Sequence, residues 1–286
     1  MLRIKENKRR FCLSLLIIAL LIALQIASVS SLTLANAEYP ADIQRIFDRG
    51  ELIVGVYAGE RPPFFMEDEE GELYGLDVEI AEGIAAELDV ELNFNREAES
   101  FAELYELVRD QEVDMVLSKF SKTSERLRAI KFTEPYIVFR WAVLLNSEYA
   151  TQQGIVEYPM DHLREDDYLE IGVVGGTSWE EFAVELFGEE KIVGLRDWQE
   201  VIAALSAGDI VAALYDENEV IRSIYQNPDI ALFANTYVLE DREDKIAIGL
   251  PRESQQLQAW LDYYLASNNL FYTVSDLLDK YPEIYE

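Results

Sequence analysis

The 286-residue chain has one cysteine and one histidine. Cys12 sits early in an N-terminal apolar run, badly placed to become the lipid-modified start of a mature chain. No thiol follows it, so a disulfide framework and a cysteine metal site are both excluded. His162 lies in a polar stretch and reads as structural or inert. Basic charge is scarce as well. The chain has 24 Lys+Arg against 55 Asp+Glu, and residues 38–286 hold 19 against 54, a net −35. Nucleic-acid binding needs a basic footprint, which is missing. The acidity does not call for a cationic ligand; it reads as a solvated surface. After residue 37 no segment is long and apolar enough to cross a bilayer. There is no GK[ST], so a nucleotide P-loop is not expected. The acidic run EDEEGEL (67–73) lacks calcium-loop spacing and reads as a solvated turn. Neither a metal nor a cofactor is expected.

What is present begins with a targeting segment. MLRIKENKRR is a basic head, FCLSLLIIALLIALQIA an apolar run, and the stretch ends in Ala35-Asn36-Ala37. This is the pattern of a secretory signal over residues 1–37, cleaved after Ala37, which places the chain in the periplasm or outside the cell. An uncleaved anchor is the alternative, because the apolar run is nearly long enough to span.

The remainder alternates strand and helix patterns. ELIVGVY (51–57), VELNFN (90–95) and VDMVLS (113–118) read as strands, with helices over 76–88 and 101–108 between them. A second series follows: strands at 169–174, 191–195 and 210–215, helices at 179–187, 198–208 and 217–225. Such alternation implies βαβ units, hence an α/β chain with two lobes, each a mostly parallel sheet flanked by helices. KFTEPYIVFRWAVLLN (131–146) suits a crossover between lobes, and TYVLEDREDKIAIGL (236–250) a return crossing. These divide the chain into lobe 1 (38–138 and 239–286) and lobe 2 (139–238), joined by a two-strand hinge near 136–141 and 236–240. Residues 147–168 read as a polar, irregular excursion, and the tail as two helices.

Ligands in open parallel sheets sit at the carboxyl ends of strands. Three segments follow such ends. In SKFSKTSERLRAIKFTEPY (118–136), Thr123 can cap a helix from Ser124, which would put Arg126 in its first turn. A cation is disfavoured at the positive end of a helix, so an anion there would offset it. A guanidinium can grip a carboxylate with two parallel hydrogen bonds, and Ser121 can add a third. In VVGGTSWEEF (173–182), Gly175-Gly176 lets a ligand approach the backbone, Thr177 and Glu180 make a capping box, and Ser178 adds a hydroxyl. In YDENEV (215–220), Asp216 caps the next helix and can receive an ammonium. Each segment alone also fits an ordinary surface Arg, a capped turn or a cap. Together they complement a zwitterion, carboxylate toward Arg126, Ser121 and Ser178, ammonium toward Asp216.

These segments, in this order, resemble the amino-acid-binding branch (family 3) of the periplasmic solute-binding proteins of ABC importers, which shares its lobes with the ligand domain of ionotropic glutamate receptors. RGELIVGV and RPPFF resemble the family's first strand and Pro-Phe turn, and GELYGLDVEIAEGIAAEL its Gly-Φ-Asp-Val helix. SKTSERLRAIKFTEPY is similar to its Thr-x-x-Arg and Phe-Ser/Thr-x-Pro-Tyr stretch, and GGTSWEEF and LYDENEV to its second-lobe segments. The resemblance covers about 47–283. It implies the two-lobed type II binding-protein fold and a monomeric, non-enzymatic receptor that closes on a small amino acid and delivers it to a membrane permease. By resemblance, Arg126 is the α-carboxylate clamp, Ser121, Thr177 and Ser178 are donors, and Asp216 is the α-ammonium acceptor. Phe101 falls where the family places a pocket wall; core packing is its bland alternative. Tyr57 and Arg61 would come from the turn VYAGERPPFF. Lys119 stands where the family often has a small residue. Its carbonyl could face the ligand while its ammonium snorkels out, or the ammonium could meet an acidic ligand side chain. With Arg61, this slightly favours an acidic or polar amino acid, or a related small dicarboxylate. A sensor input, an ion-coupled carrier or a periplasmic dehydratase on the same fold are the alternatives.

Overall fold

The structure, a computed structural model, describes residues 39–155 and 158–285. The targeting segment read above lies outside the described residues. No helix among the described residues is long and apolar enough to cross a membrane.

The chain folds into two lobes, each built on a five-stranded sheet. The strands of the first are β1 (Glu51–Tyr57), β4 (Glu91–Ala98), β5 (Met115–Val116), β6 (Lys131–Phe132) and β12 (Gly249–Leu250). Their spatial order is β4-β1-β5-β12-β6. The second sheet holds β7 (Ile137–Asn146), β8 (Ile171–Val174), β9 (Ile192–Leu195), β10 (Ala212–Asp216) and β11 (Ala234–Ile246) in the order β11-β7-β10-β8-β9. A small hairpin, β2 (Met66–Glu67) and β3 (Leu73–Tyr74), carries the EDEEGEL turn.

Each sheet is mixed rather than mostly parallel. The β1–β4 and β1–β5 pairs are parallel, as are β8–β9 and β8–β10. β12 runs antiparallel to β5 and β6, and β7 antiparallel to β10 and β11. The reason is the chain path: the crossover strand and the return strand meet side by side and must run in opposite directions. Their pairing extends from Ala234↔Asn146 to Ile246↔Ile137, with a register shift between Leu239 and Glu243. One strand pair thus serves both cores. Ile137 and Phe139 pack with Val54, Ile84 and Leu261, whereas Trp141 to Leu145 pack with Val173, Val201 and Leu214.

Local sequence accounts for most elements. In the helix Leu76–Leu88, the buried Leu76, Ile80, Ile84 and Leu88 recur every four residues and cover the first sheet. Gly75 ahead of it has φ +124°, and a Cβ there would lie 2.5 Å from the Phe64 carbonyl oxygen, so only glycine fits. Two expectations fail. The stretch after Thr123 is a single 3₁₀ turn, Arg126–Arg128, not a full helix. Ile130 and Phe132 are drawn into the core beside it, which ends the turn. The excursion 147–168 is not irregular: it holds two short helices, Ser147–Gln153 and Met160–Glu165. Asn146 caps the first, and buried Met160 and Leu163 anchor the second. His162 meets the Tyr149 hydroxyl at 2.8 Å.

Candidate functional site

The carboxyl ends of β5, β8 and β10 face one another across the gap between the lobes. Seven of the nine site residues read from the sequence line one small cavity there: Arg61, Phe101, Lys119, Ser121, Arg126, Thr177 and Ser178. Trp179, Tyr215 and Asp244 complete it. Its volume is about 20 Å³, room for about one water. Asp216 lies just behind the cavity, fully buried, and Tyr57 stacks on the far side of Phe101 with ring centroids 5.5 Å apart.

The first-lobe wall is aromatic with two cations laid on it. The Phe101 ring faces Phe120, which stacks on Phe132. The Arg61 guanidinium lies 4.7 Å from the Tyr57 ring centre and 5.3 Å from that of Phe101. Arg126 lies 4.0 Å over Phe120 and donates from Nη1 to the Ser121 carbonyl at 2.8 Å. Stacking of this kind holds a guanidinium plane while leaving its edge free to bind. Burial pulls Arg126 down to about 10, against the pull of Asp244, Glu181 and Glu125, so it remains charged at neutral pH.

The second-lobe wall is the start of the helix Ser178–Phe187. The Thr177 hydroxyl accepts from the Trp179 N–H at 3.2 Å and donates to the Val174 carbonyl at 2.7 Å. The expected capping box is displaced by one residue: Glu180 accepts from the Gly176 N–H, at 2.8 Å. Gly176 takes φ +71°, and this turn brings the Glu180 carboxylate to its N–H. Thr177 therefore has its hydroxyl engaged locally. Ser178 reaches across the gap, its Oγ 2.9 Å from Ser121 Oγ.

The Lys119 side chain does not snorkel outward, the first of its two sequence expectations. It pairs with Asp216 Oδ2 of the opposite lobe at 2.7 Å, with side-chain exposures of 8% and 0%. The rings of Phe64, Phe139 and Tyr215 surround it at 5.3–5.6 Å. The backbone forces this direction: Lys119 has φ +48°, and its N–H donates to Asp77 Oδ2 at 2.6 Å. Burial is the largest single influence and works against its charge, but Asp216, Tyr215 and Glu219 together outweigh it and hold the ammonium above its ordinary value. The other Asp216 oxygen accepts from the Glu219 N–H at 2.8 Å and caps the helix Glu217–Gln226, as the sequence suggested.

Two carboxyls escaped sequence reading. Asp77, from the Gly-Φ-Asp segment, also accepts from the Tyr136 hydroxyl at 2.7 Å. Asp244 sits on β11, its Oδ2 accepting from Ser121 Oγ at 3.0 Å, its Oδ1 buried with no partner. In the charged run Glu240–Lys245 it looks like solvated surface. The one available signal is strand alternation, which turns Asp244 and Ile246 inward together. Burial raises both carboxyls to about 7; the Asp216 charge adds to it at Asp244, and hydrogen bonds oppose it at both. From an ordinary 3.8, the folded chain holds protons through pH 4–7 that the unfolded chain has released. Their stabilisation is complete below about pH 4 and is lost as pH rises through 7. The melting temperature should therefore fall between pH 5 and pH 8, and Asp77→Asn should flatten the slope. A melting temperature that climbs over that range would refute this.

Comparison with known proteins agrees with this architecture. The sequence pattern of the bacterial extracellular solute-binding proteins, family 3, matches residues 52–283. The arginine-binding periplasmic protein of Mannheimia haemolytica is 33% identical over 75 residues, 26% of this chain and 31% of that protein. The L-cystine-binding protein TcyJ of Escherichia coli K12 is 24% identical over 164 residues, 57% of this chain and 58% of that one. The chain thus spans well under two thirds of either relative. Among solved structures, the amino acid ABC transporter substrate-binding protein AbpA of Streptococcus pneumoniae, bound to L-arginine, aligns with TM-score 0.66 and 22% identity, covering 85% of this chain and 98% of that one. The putative ABC-transporter binding component of Wolinella succinogenes, complexed with lysine, aligns equally well, at 0.66 and 22%, over 81% and 95%. At that identity the structures speak for the fold alone. The family match spans most of the chain, and this protein belongs to the bacterial extracellular solute-binding proteins, family 3.

Proposed function

We propose that the chain is an extracytoplasmic receptor that closes its lobes on a small amino acid or closely related small carboxylate and presents it to an ABC importer. One observation carries this reading: Arg126 of one lobe and Ser178 of the other converge on a single cavity at facing strand ends. A carboxylate there receives a charge-assisted grip from one side and a hydroxyl from the other, so it bridges the lobes. A ligand that binds only the closed arrangement shifts the population toward it. The hinge is the β7–β11 pair, bending near 136–141 and 236–240, next to the register shift after Leu239. Lobe 1 comprises 38–138 and 239–286, and lobe 2 comprises 139–238. Relatives whose names record arginine, lysine and cystine support the amino-acid class. Arg61, flat against Tyr57 and Phe101, supports an acidic or polar side chain.

A thermal-shift panel of amino acids and short mono- and dicarboxylates tests the reading. At a hundredfold excess over Kd a ligand adds about 2.7 kcal/mol, which raises the melting temperature of a chain this size by roughly 5–10 °C. At least one compound should do so, and mass spectrometry should return it unchanged. A flat panel removes the receptor reading, and a product peak replaces it with an enzyme.

A further inference from the structure

We infer that the ligand lacks an α-ammonium group: it is a small 2-oxo or 2-hydroxy carboxylate, and Lys119 stands in the place an α-ammonium would take. The inference rests on the receptor reading above and deepens it by naming the ligand's chemical class.

The acceptor end of the cleft is already filled by the chain itself. Asp216 has one oxygen on the Glu219 N–H and the other on Lys119 Nζ. Its oxygens keep further lone pairs, but the side chain is fully buried behind Lys119 and does not line the cavity, so none of them faces a ligand there. Lys119 cannot swing aside freely. Its backbone is held by Asp77 and its ammonium is boxed by Phe64, Phe139 and Tyr215. A ligand ammonium aimed at Asp216 would meet a like charge in a desolvated site, which disfavours the charged form of both. A keto or hydroxyl oxygen on C2 meets the opposite situation. An ammonium has three N–H donors; Asp216 takes one of them from Lys119, and a C2 oxygen can accept another.

The cations point the same way. Of the three at the cavity, Arg61, Lys119 and Arg126, only Lys119 is paired with a carboxylate among the described residues, so the site favours a ligand that brings negative charge without adding an ammonium. Asp244 does not rescue an ammonium. Its Oδ1 is unpartnered, but the carboxyl is bonded to Ser121 and lies within the field of Arg126, at the end where the ligand carboxylate binds. There an ammonium would be pushed off by the guanidinium.

The test is calorimetric titration of the purified protein with matched sets: pyruvate, L-lactate and L-alanine; then 2-oxoglutarate, L-2-hydroxyglutarate and L-glutamate. In at least one set the oxo or hydroxy acid should bind at least tenfold more tightly than the amino acid. Lys119→Ser frees Asp216 for a ligand ammonium and should abolish or reverse that order. Lys119→Arg, which keeps the charge, should retain it. An amino acid that binds the unmodified protein as tightly as its oxo partner overturns the inference, and so does an order that Lys119→Ser leaves unchanged. If Lys119→Ser fails to fold, the unmodified protein's preference decides alone. No binding by any of the six overturns this inference and leaves the receptor reading to the full thermal-shift panel, and amino-acid preference likewise overturns the inference while leaving the receptor intact.

Discussion

Replacing Arg126 with Ala should weaken ligand binding by about 2–5 kcal/mol, the usual consequence of removing one partner of a buried, hydrogen-bonded charge pair. That is roughly a 30-fold to several-thousand-fold rise in Kd. The loss should exceed that at any other cavity residue, because only Arg126 offers a planar fork preset on Phe120 and tied to the Ser121 carbonyl. Arg126→Lys should recover only part of it, since an ammonium keeps the charge but not the two parallel hydrogen bonds. The fold should tolerate the change: the 3₁₀ turn is held by backbone bonds from Leu127 to Thr123 and from Ile130 to Arg126, which Ala preserves. Titration of both variants with the strongest compound from the panel gives the numbers. An unchanged Kd for Arg126→Ala would remove the clamp, and with it the direction in which the ligand lies.

The second large effect concerns the lobes themselves. Asp216→Ala leaves the Lys119 ammonium in an aromatic box with no carboxylate partner. Stranding a buried charge in this way costs about 3–5 kcal/mol, and losing the cap on the helix Glu217–Gln226 adds about 1 kcal/mol. The first cost applies only while the lobes are apposed, because opening the gap returns Lys119 to water. The variant should therefore shift toward an open arrangement, visible as a larger radius of gyration in solution scattering. Asp216→Asn separates the two contributions, keeping a capping oxygen without the charge. A double change, Lys119→Met with Asp216→Ala, should recover much of the loss, since apolar pairs of similar volume often replace buried ion pairs without penalty. Scattering curves that superimpose for the unmodified and Asp216→Ala proteins would show that this pair does not hold the lobes together.

The Lys119 position illustrates what a sequence conceals. A lysine after a buried strand invites two guesses, a snorkelling surface group or a contact to an acidic ligand. Which holds depends on φ at that residue and on a carboxylate 97 positions away. Asp244 fails differently. It lies in an acidic run whose neighbours are exposed, and only the inward turn of β11 separates it from them. The sheets show the same limit. Hydrophobic runs placed β1, β8 and β10 well, yet β5 proved only two residues long and half the pairings antiparallel, because pairing is a property of neighbours that a single segment does not contain.

The sequence by itself determined the strand–helix alternation, the helix Leu76–Leu88 to the residue, and the strand-end positions of Ser121, Arg126, Ser178 and Asp216. Periodicity, caps and glycines are local, and local free energies are written in adjacent residues. The tertiary structure alone decided that Lys119 rather than open space faces Asp216, that Asp244 enters the cavity, and that Ser121 meets Ser178. Those outcomes depend on burial and on distances between lobes, where removing water makes one charge choose another.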